Sequence, residues 1–141
     1  MPNWKTHLEV SKRINKAYGF EGMDFKKFLF GSILPDINNS HIVKDISKKL
    51  YHEVTHYHDE AMPSYLVFYK KYKEQIEAKD PLFIGVVTHL YTDYTWNGDF
   101  YTKIAKYNYP ESDRTKLRIM KQSDFQILNN RYEKKFHRYY R

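Results

Sequence analysis

The stretch P-L-F-I-G-V-V-T-H-L-Y-T-D-Y-T-W-N, residues 81–97, decides the fold class of this chain. Asp80 and Pro81 signal the start of a helix, because proline suits the first helical turn. Helical spacing then places one set of residues on a single face: Leu82, Val86, His89, Asp93 and Trp96. Because His89 and Asp93 are four residues apart, an imidazole and a carboxylate share this face and can bind a single ion.

Helical periodicity extends over almost the whole chain, and no segment shows the sustained two-residue alternation of a strand. The other predicted helices begin near Trp4, Asp24, Asp45, Pro63 and Ser112 and end near Ala17, Leu34, Tyr57, Ile76 and Phe136. Asp24 is a predicted cap, and Pro35 ends its helix and leaves Asp36 at the start of a loop. The sequence therefore predicts a single all-α domain over residues 1–141, a bundle of about five to seven helices with a basic C-terminal helix at 112–141.

The composition is that of a folded protein, with 41% hydrophobic and 29% charged residues. The longest apolar run, residues 81–87, is too short to span a bilayer, and the N-terminus lacks a secretion segment. A cytoplasmic protein without a transmembrane segment is predicted, of unknown oligomeric state. The chain has no cysteine, which excludes disulfides and thiolate zinc sites, so histidines and carboxylates must hold any metal.

The net charge of +7 would attract phosphate groups. The lysines are scattered evenly, however, and the abundance of Lys, Tyr, Asn, Ile and Phe is typical of a genome rich in A and T. We therefore favour compositional bias over a nucleic-acid surface. Nucleic-acid binding stays an alternative that rests on this charge and on the basic, aromatic C-terminal end F-H-R-Y-Y-R.

Three Thr-His dipeptides end at His7, His56 and His89. A single buried histidine is usually bonded to a carbonyl or a hydroxyl group, and this alternative stays open for each of them. Burying several imidazoles and carboxylates together is costly unless an ion compensates. With Asp36 and Asp93, these histidines therefore predict a site for a divalent cation.

A rival motif is H-E-V-T-H at residues 52–56, the string in which zinc metallopeptidases use two histidines as ligands and the glutamate as general base. At about 100° per residue, His52 falls opposite the apolar stripe of its segment. That stripe consists of Ile46, Leu50, Val54 and Tyr57. Since ligand histidines should face a cleft, a metallopeptidase is the less favoured alternative.

Four motifs occur in order: T-H-L, F-L-F-G-S-I-L-P-D, T-H-Y and G-V-V-T-H-L-Y-T-D-Y-T-W-N. Together they resemble the zinc-dependent phospholipase C family, specifically the small prokaryotic branch of the phospholipase C and P1 nuclease superfamily. The resemblance spans residues 7–97 and implies an all-α bundle with metal ions between its helices and phosphodiester hydrolysis as its chemistry. It implies zinc held by His7, Asp36, His56, His89 and Asp93, and the departures described below lead us to expect one ion or two instead of a three-metal cluster.

If the protein is an enzyme of this type, a metal-activated water attacks phosphorus, and Asp36 is the candidate general base. The substrate would be a small phosphodiester or a phospholipid head group. Two departures from the family pattern motivate a non-catalytic, single-metal module as the alternative. The tryptophan near the N-terminus is Trp4 rather than the first residue, and the His-x-x-x-Glu pair expected after Asn97 is missing, since His137 lacks a glutamate in that register.

Overall fold

The computed structural model of the chain describes residues 4–37, 51–58 and 64–106. Within these ranges the chain is helical and contains no strand, which confirms the predicted all-α class. Its elements are α1 (Trp4–Tyr18), α2 (Gly22–Gly31), a 3₁₀ turn (Leu34–Asp36), α3 (His52–Thr55), α4 (Tyr65–Lys71), α5 (Lys73–Glu77) and α6 (Pro81–Lys106). The predicted start near Asp45 and the predicted helix at 112–141 lie outside the described residues.

The chain divides into two compact units, Met1–Trp96 and Asn97–Arg141. The first unit contains nearly all of the described residues, whereas of the second only 97–106, the end of α6, are described. The single domain over residues 1–141 stays a prediction. Across the described ranges, no helix combines the length and the apolar character that crossing a bilayer requires.

The turn between α1 and α2 is fixed by Asn15, whose side chain accepts from the Phe20 N–H and donates to the Phe20 carbonyl, both over 3.0 Å. Gly19 lies in this turn with φ 73°, a backbone conformation that glycine tolerates without strain. Asp24 is not the cap that the sequence predicted, because α2 begins two residues earlier and Glu21 is its N-cap residue. The helix also ends at Gly31, before the 3₁₀ turn.

Between residues 51 and 77 the helices are shorter than the spacing of apolar residues predicts. Helix α3 ends at Thr55, and Tyr57 has a left-handed backbone with φ 51°, so the prediction of a helix reaching Tyr57 is wrong. Val54 is 61% exposed instead of lying on a buried stripe. The helix predicted from Pro63 to Ile76 is interrupted at Tyr72, whose backbone leaves the helical region, and becomes α4 and α5. Ser64 caps α4 by accepting from the Val67 N–H.

The hydrophobic core of the described residues joins α2, α4, α5 and α6. Its buried members are Phe28, Phe68, Ile76, Ile84, Val86 and Leu90. Partly buried aromatic side chains, among them Phe83 and Tyr72 with ring centroids 5.2 Å apart, pack around this cluster. This core holds α6 at the centre of the unit that contains the candidate site.

Helices α2 and α6 are in backbone contact where two glycines meet. A Cβ atom added to Gly85 would overlap the carbonyl oxygen of Phe28 and lie only 2.9 Å from the Gly31 Cα. A Cβ atom on Gly31 would overlap the carbonyl oxygen of Leu82 in the same way. Only glycine fits at both positions, and this contact brings the end of α2 against the turn of α6 that precedes His89.

Candidate metal centre

Helix α1 presents a polar face to the interior, since its buried residues are Lys5, His7 and Ser11. His7 is 1% exposed and Ser11, one turn later, is 0% exposed. The Ser11 hydroxyl and both ring nitrogens of His7 lack a hydrogen-bond partner among the described residues. Buried polar groups are rarely left unbonded, so this face of α1 has the character of a binding site.

The 3₁₀ turn positions Asp36. Sequence analysis placed this residue at the start of a loop, but its N–H donates to the Ile33 carbonyl over 3.0 Å within the turn. Pro35 suits such a turn because its ring fixes φ near the helical value and the turn does not need its missing N–H. Asp36 is 5% exposed, which makes it the most accessible of the five predicted site residues.

His56 follows the last residue of α3 and is 1% exposed. Its Nδ1 lies 2.9 Å from the Thr55 hydroxyl, which fixes the orientation of the ring and directs Nε2 into the site. The next residue, Tyr57, has the left-handed backbone that turns the chain away. A non-glycine residue in this region is strained, and such strain is often found at functional sites.

Helix α6 contributes His89 and Asp93, which are 0% and 1% exposed. The ring of His89 donates from Nδ1 to the carbonyl oxygen of Ser32 over 2.8 Å. Because a carbonyl oxygen can only accept, the proton of the neutral ring lies on Nδ1, and Nε2 keeps its lone pair for another ligand. The protein thus prepares His89 to bind a cation through Nε2.

Four ligand atoms converge on one point. The Nε2 atoms of His56 and His89 are 3.2 Å apart, and the Oδ2 of Asp93 lies 3.4 Å from the first and 3.3 Å from the second. Asp36 Oδ1 lies 3.2 Å from His56 Nε2 and 3.8 Å from His89 Nε2. In a tetrahedral zinc site with bonds of 2.0–2.1 Å, neighbouring ligand atoms are about 3.3 Å apart. The five measured separations among these atoms therefore lie at or near the value for a zinc site.

Asp93 also faces a second group. Its other oxygen, Oδ1, lies 3.2 Å from Nε2 of His7, and the His7 ring stacks on His89 with centroids 3.7 Å apart. Both carboxylate oxygens of Asp93 are buried and, despite these short distances, none of the contacts has the geometry of a hydrogen bond. The ring nitrogens and carboxylate oxygens thus point at shared positions between them, which is the arrangement expected of metal ligands.

The electrostatics of the cluster favour a cation. Burial raises the pKa values of Asp36 and Asp93, but the neighbouring histidine rings lower them further, so both pKa values lie below their ordinary range. Burial lowers the pKa of His7. It also lowers that of His89, but contact with Asp93 outweighs this and leaves the pKa of His89 raised. Two ionised carboxylates are therefore buried together at neutral pH, which is stable only with compensating positive charge.

Five predicted site residues are thus brought together: His7, His89 and Asp93 form one possible ligand group, and Asp36, His56 and His89 form another.

The rival H-E-V-T-H motif fits less well. Its two histidines should lie on one continuous helix, whereas α3 ends at Thr55 and His56 lies in the following turn. The side chains of His52 and Glu53 lie outside the described residues.

Sequence reasoning did not identify Ser32, Thr55 or Ser11. Ser32 acts through its backbone carbonyl, for which no side-chain pattern exists. Thr55 was visible in the repeated Thr-His dipeptide, since a hydroxyl next to a ligand histidine can orient its ring. Ser11 could have been found as the residue one helical turn after His7.

A helical fold with a buried centre of three histidines and two carboxylates provides nitrogen and oxygen groups that could hold a metal ion. The chain matches the family described as zinc dependent phospholipase C over residues 6–140 and belongs to that family. No curated protein and no solved structure matches the chain. Zinc dependence and phospholipid hydrolysis are therefore properties of the family to which this chain belongs.

Proposed function

We propose that this protein hydrolyses phosphodiester bonds with a zinc ion held by Asp36, His56, His89 and Asp93. The observation that carries the proposal is the close approach of the carboxylates to the two histidine rings, with separations of 3.2–3.8 Å for the five pairs of ligand atoms measured. Imidazole and carboxylate ligands suit zinc. Two carboxylates also balance the charge of a divalent ion, which the buried histidines alone would not.

We further propose that a second ion binds beside the first, between Oδ1 of Asp93 and Nε2 of His7. Asp93 faces the first group through Oδ2 and His7 through Oδ1, so Asp93 and His7 are the residues that would hold the second ion. The second position has fewer protein ligands among the described residues, and we expect it to bind zinc more weakly. We therefore propose two ions at saturation, of which only one binds tightly.

Zinc at this centre would polarise a phosphoryl oxygen and bring the pKa of a bound water near 7. The protein residues hold and orient the reacting groups. His56 and His89 are fixed by Thr55 and Ser32, and Asp93 is fixed between their rings. Asp36 is the proposed general base because it is the most accessible carboxylate of the centre and because its lowered pKa keeps it ionised.

In the proposed reaction the oxygen of water bonds to phosphorus while the P–O bond to the leaving alcohol breaks. Asp36 accepts a proton from the attacking water, which balances the proton that the leaving alkoxide finally takes up. The products are a phosphomonoester and an alcohol. Asp36 Oδ1 is farther from His89 Nε2, at 3.8 Å, than from His56 Nε2, at 3.2 Å. Asp36 would therefore be the ligand that gives up its position to water and substrate, since a catalytic zinc ion keeps three protein ligands and one accessible position.

The test compares His89→Ala with His52→Ala in protein purified without added metal. Zinc content is measured by elemental analysis, and hydrolysis is measured with bis(p-nitrophenyl) phosphate and with a short-chain phosphatidylcholine. We expect His89→Ala to lose the tight zinc ion and the hydrolysis of both substrates, and His52→Ala to keep both. Zinc loss in His52→Ala with retention in His89→Ala would support the metallopeptidase motif and refute the proposal.

A metal that only stabilises the fold is the second candidate. The observation that favours it is the burial of all five ligands, none more than 5% exposed, because structural zinc sites are closed by four protein ligands. This role predicts a large fall in melting temperature on chelation and no hydrolysis of either phosphodiester by zinc-loaded protein. The proposed enzyme also loses stability on chelation, so the hydrolysis assay separates the two roles.

A further inference from the structure

Each histidine of the candidate metal centre points Nε2 at another proposed ligand, so its second ring nitrogen, Nδ1, needs a partner in the protein. For His89 this partner is the carbonyl oxygen of Ser32 at 2.8 Å. For His56 it is the hydroxyl of Thr55 at 2.9 Å. Nδ1 of His7 is buried and has no partner among the described residues, which sets His7 apart from the other two histidines.

A buried hydroxyl without a partner lies on the same helix as His7. Ser11 is 0% exposed, and its oxygen lacks the bond to a carbonyl one turn earlier that serine often makes within a helix. Across residues 4–37, 51–58 and 64–106, buried side-chain atoms without a partner occur on His7, Ser11 and Asp93 alone. Since His7 and Asp93 are the proposed ligands of the second ion, the third member of this set indicates the same site.

The geometry of α1 brings Ser11 and His7 together. Ser11 lies four residues after His7, one turn later on the same face of the helix, and Cβ atoms at this spacing are about 5–6 Å apart. Side chains in a helix lean towards its N-terminus, so the Ser11 hydroxyl is directed over the turn that carries His7. Nε2 of His7 already faces Asp93. A rotation of Ser11 about χ1, or one bridging water, would therefore join its hydroxyl to Nδ1.

A histidine inside a helix cannot use the threonine that precedes it. Thr55 reaches His56 because α3 ends at Thr55 and the chain turns there. Within a helix, adjacent side chains point about 100° apart. Thr88, which precedes His89, accordingly bonds to a carbonyl of its own helix over 2.7 Å. Because His7 also lies inside a helix, its partner on α1 must come from one turn away.

We propose that Ser11 is a positioning residue for the second ion, whose hydroxyl accepts the Nδ1 proton of His7 when Nε2 of that ring binds zinc. The inference rests on the proposed function, because the second ion is part of it. A proton fixed on Nδ1 keeps the lone pair of Nε2 for the ion and sets the plane of the ring. Ser11 thus does for His7 what the Ser32 carbonyl does for His89.

A packing role alone accounts for a small residue at this position but not for a polar one. The neighbourhood is tight, since the His7 ring stacks on His89 with centroids 3.7 Å apart one turn before Ser11. Alanine is as small, leaves no hydroxyl unbonded and has the higher helix propensity. Ser11→Ala should therefore keep or raise the stability of the zinc-free protein, although it removes the proposed partner of Nδ1.

The test measures the affinities of both zinc ions for the full-length protein by competition with a chromophoric chelator. Ser11→Ala should weaken the second ion by about 10–100-fold and change the tight ion by less than about twofold. Its urea midpoint without zinc should equal or exceed that of the wild type. Wild-type affinity for the second ion would overturn the proposal. Equal weakening of both ions with a lower urea midpoint would also overturn it, because it would indicate damage to the fold.

Thr88→Val is the matched control, since Thr88 is 7% exposed and its hydroxyl bonds to the carbonyl of Ile84 over 2.7 Å. Valine keeps the shape of the side chain and removes this hydrogen bond. The control should lower the urea midpoint and leave both zinc affinities within about twofold of the wild type. If it weakens the second ion as much as Ser11→Ala does, the specific role of Ser11 is refuted.

Nuclear magnetic resonance of the imidazole protons supplies a readout that a packing role would not change. At zinc saturation the His7 proton should be on Nδ1 in the wild type and should exchange slowly with water. In Ser11→Ala with excess zinc, this proton should exchange about tenfold faster, because it loses its acceptor. An equal exchange rate in the two proteins would contradict the hydrogen bond to Ser11.

Failure of this inference is distinguishable from failure of the proposed function. Two ions bound by the wild type, with no effect of Ser11→Ala on the second, would refute the inference alone. A single bound ion at saturation would refute the second ion of the proposed function and the role of Ser11 with it. Neither outcome depends on hydrolysis, so the affinities decide the role of Ser11 whether or not the protein is active.

Discussion

The carbonyl oxygen of Ser32 lies 2.8 Å from Nδ1 of His89 and accepts its proton, although the two residues are 57 positions apart in the chain. This hydrogen bond joins the end of α2 to the centre of α6. It exists because Gly31 and Gly85 allow the two backbones to touch. The orientation of a candidate zinc ligand therefore depends on the absence of a side chain at two other positions.

Gly85→Ala should consequently damage both the fold and the metal centre. The new Cβ atom would overlap the Phe28 carbonyl and crowd the Ser32 N–H, which it approaches within 2.9 Å. Helix α2 must shift, and the hydrogen bond from His89 to Ser32 lengthens. We expect a loss of about 3 kcal/mol in the free energy of unfolding, measured in urea, together with weaker zinc binding.

Gly98→Ala is the matched control, since Gly98 lies on the same helix and a Cβ atom there meets nothing within 4 Å. Alanine favours a helix over glycine by about 1 kcal/mol. The control should therefore be neutral or slightly more stable and should bind zinc normally. A Gly85→Ala variant as stable as Gly98→Ala would contradict the close contact between α2 and α6.

The sequence correctly predicted where helices α1 and α6 begin. Helix α1 begins at Trp4 as expected, and α6 begins at Pro81, where the Asp80-Pro81 signal places it. The same patterns failed where tertiary contacts override periodicity. The break at Tyr72 and the left-handed Tyr57 carry no signal in the spacing of apolar residues. Both side chains pack against aromatic rings of other segments, Tyr57 against Phe68 and Tyr72 against Phe83.

The residues of the candidate site could be predicted from the sequence, but the arrangement of their ligand atoms could not. The Thr-His repeats and the spacing of His89 and Asp93 identify groups that can bind a metal. They do not indicate which oxygen of Asp93 faces which ring. That distinction follows from the packing of α1 and α6, which places His7 beside Oδ1 and His56 beside Oδ2.

His7→Phe tests whether two ions bind. A phenyl ring can keep the stacking of His7 on His89, where the centroids are 3.7 Å apart, but it removes both nitrogens. The four atoms of the proposed tight site remain, so we expect zinc stoichiometry at saturation to fall from two to one with the tight ion retained. Loss of the tight ion would show instead that His7 belongs to the first site, and two retained ions would refute its role as a ligand.

Asp36→Asn tests the proposed general base. Asparagine keeps the size of the side chain and an oxygen ligand but cannot accept a proton from water. We expect turnover of bis(p-nitrophenyl) phosphate to fall by about 10²–10⁴-fold, with zinc still bound at the tight site. Asp93→Asn, in contrast, should lose zinc, because it removes the charge that faces three rings. A wild-type rate in Asp36→Asn would assign the proton transfer to another group.

Zinc binding should strengthen with increasing pH. The pKa of His89 is raised above its ordinary value of 6.5, because contact with Asp93 outweighs burial, and zinc must displace the proton that this ring holds. The apparent affinity should rise about tenfold per pH unit below the raised pKa and level off above it. Calorimetry at pH 6.5 in two buffers of different ionisation enthalpy should record a net release of more than half a proton per tight ion, because the raised pKa of His89 lies above this pH. A pH-independent affinity would contradict the proton on His89.

The metal-free protein should lose stability in strong acid through Asp36 and Asp93. Their pKa values lie below the ordinary 3.8, since the neighbouring histidines outweigh burial. A depressed carboxyl pKa stabilises the fold above the unfolded value, and this stability is lost as the pH falls through the folded pKa. His7 and His89 have pKa shifts in opposite directions, so their contributions oppose each other near neutral pH. Urea midpoints should fall steeply below about pH 4, where the two carboxylates become protonated on unfolding. The fall should be shallower in Asp93→Asn, and an equal slope in this variant would show that Asp93 is not the responsible group.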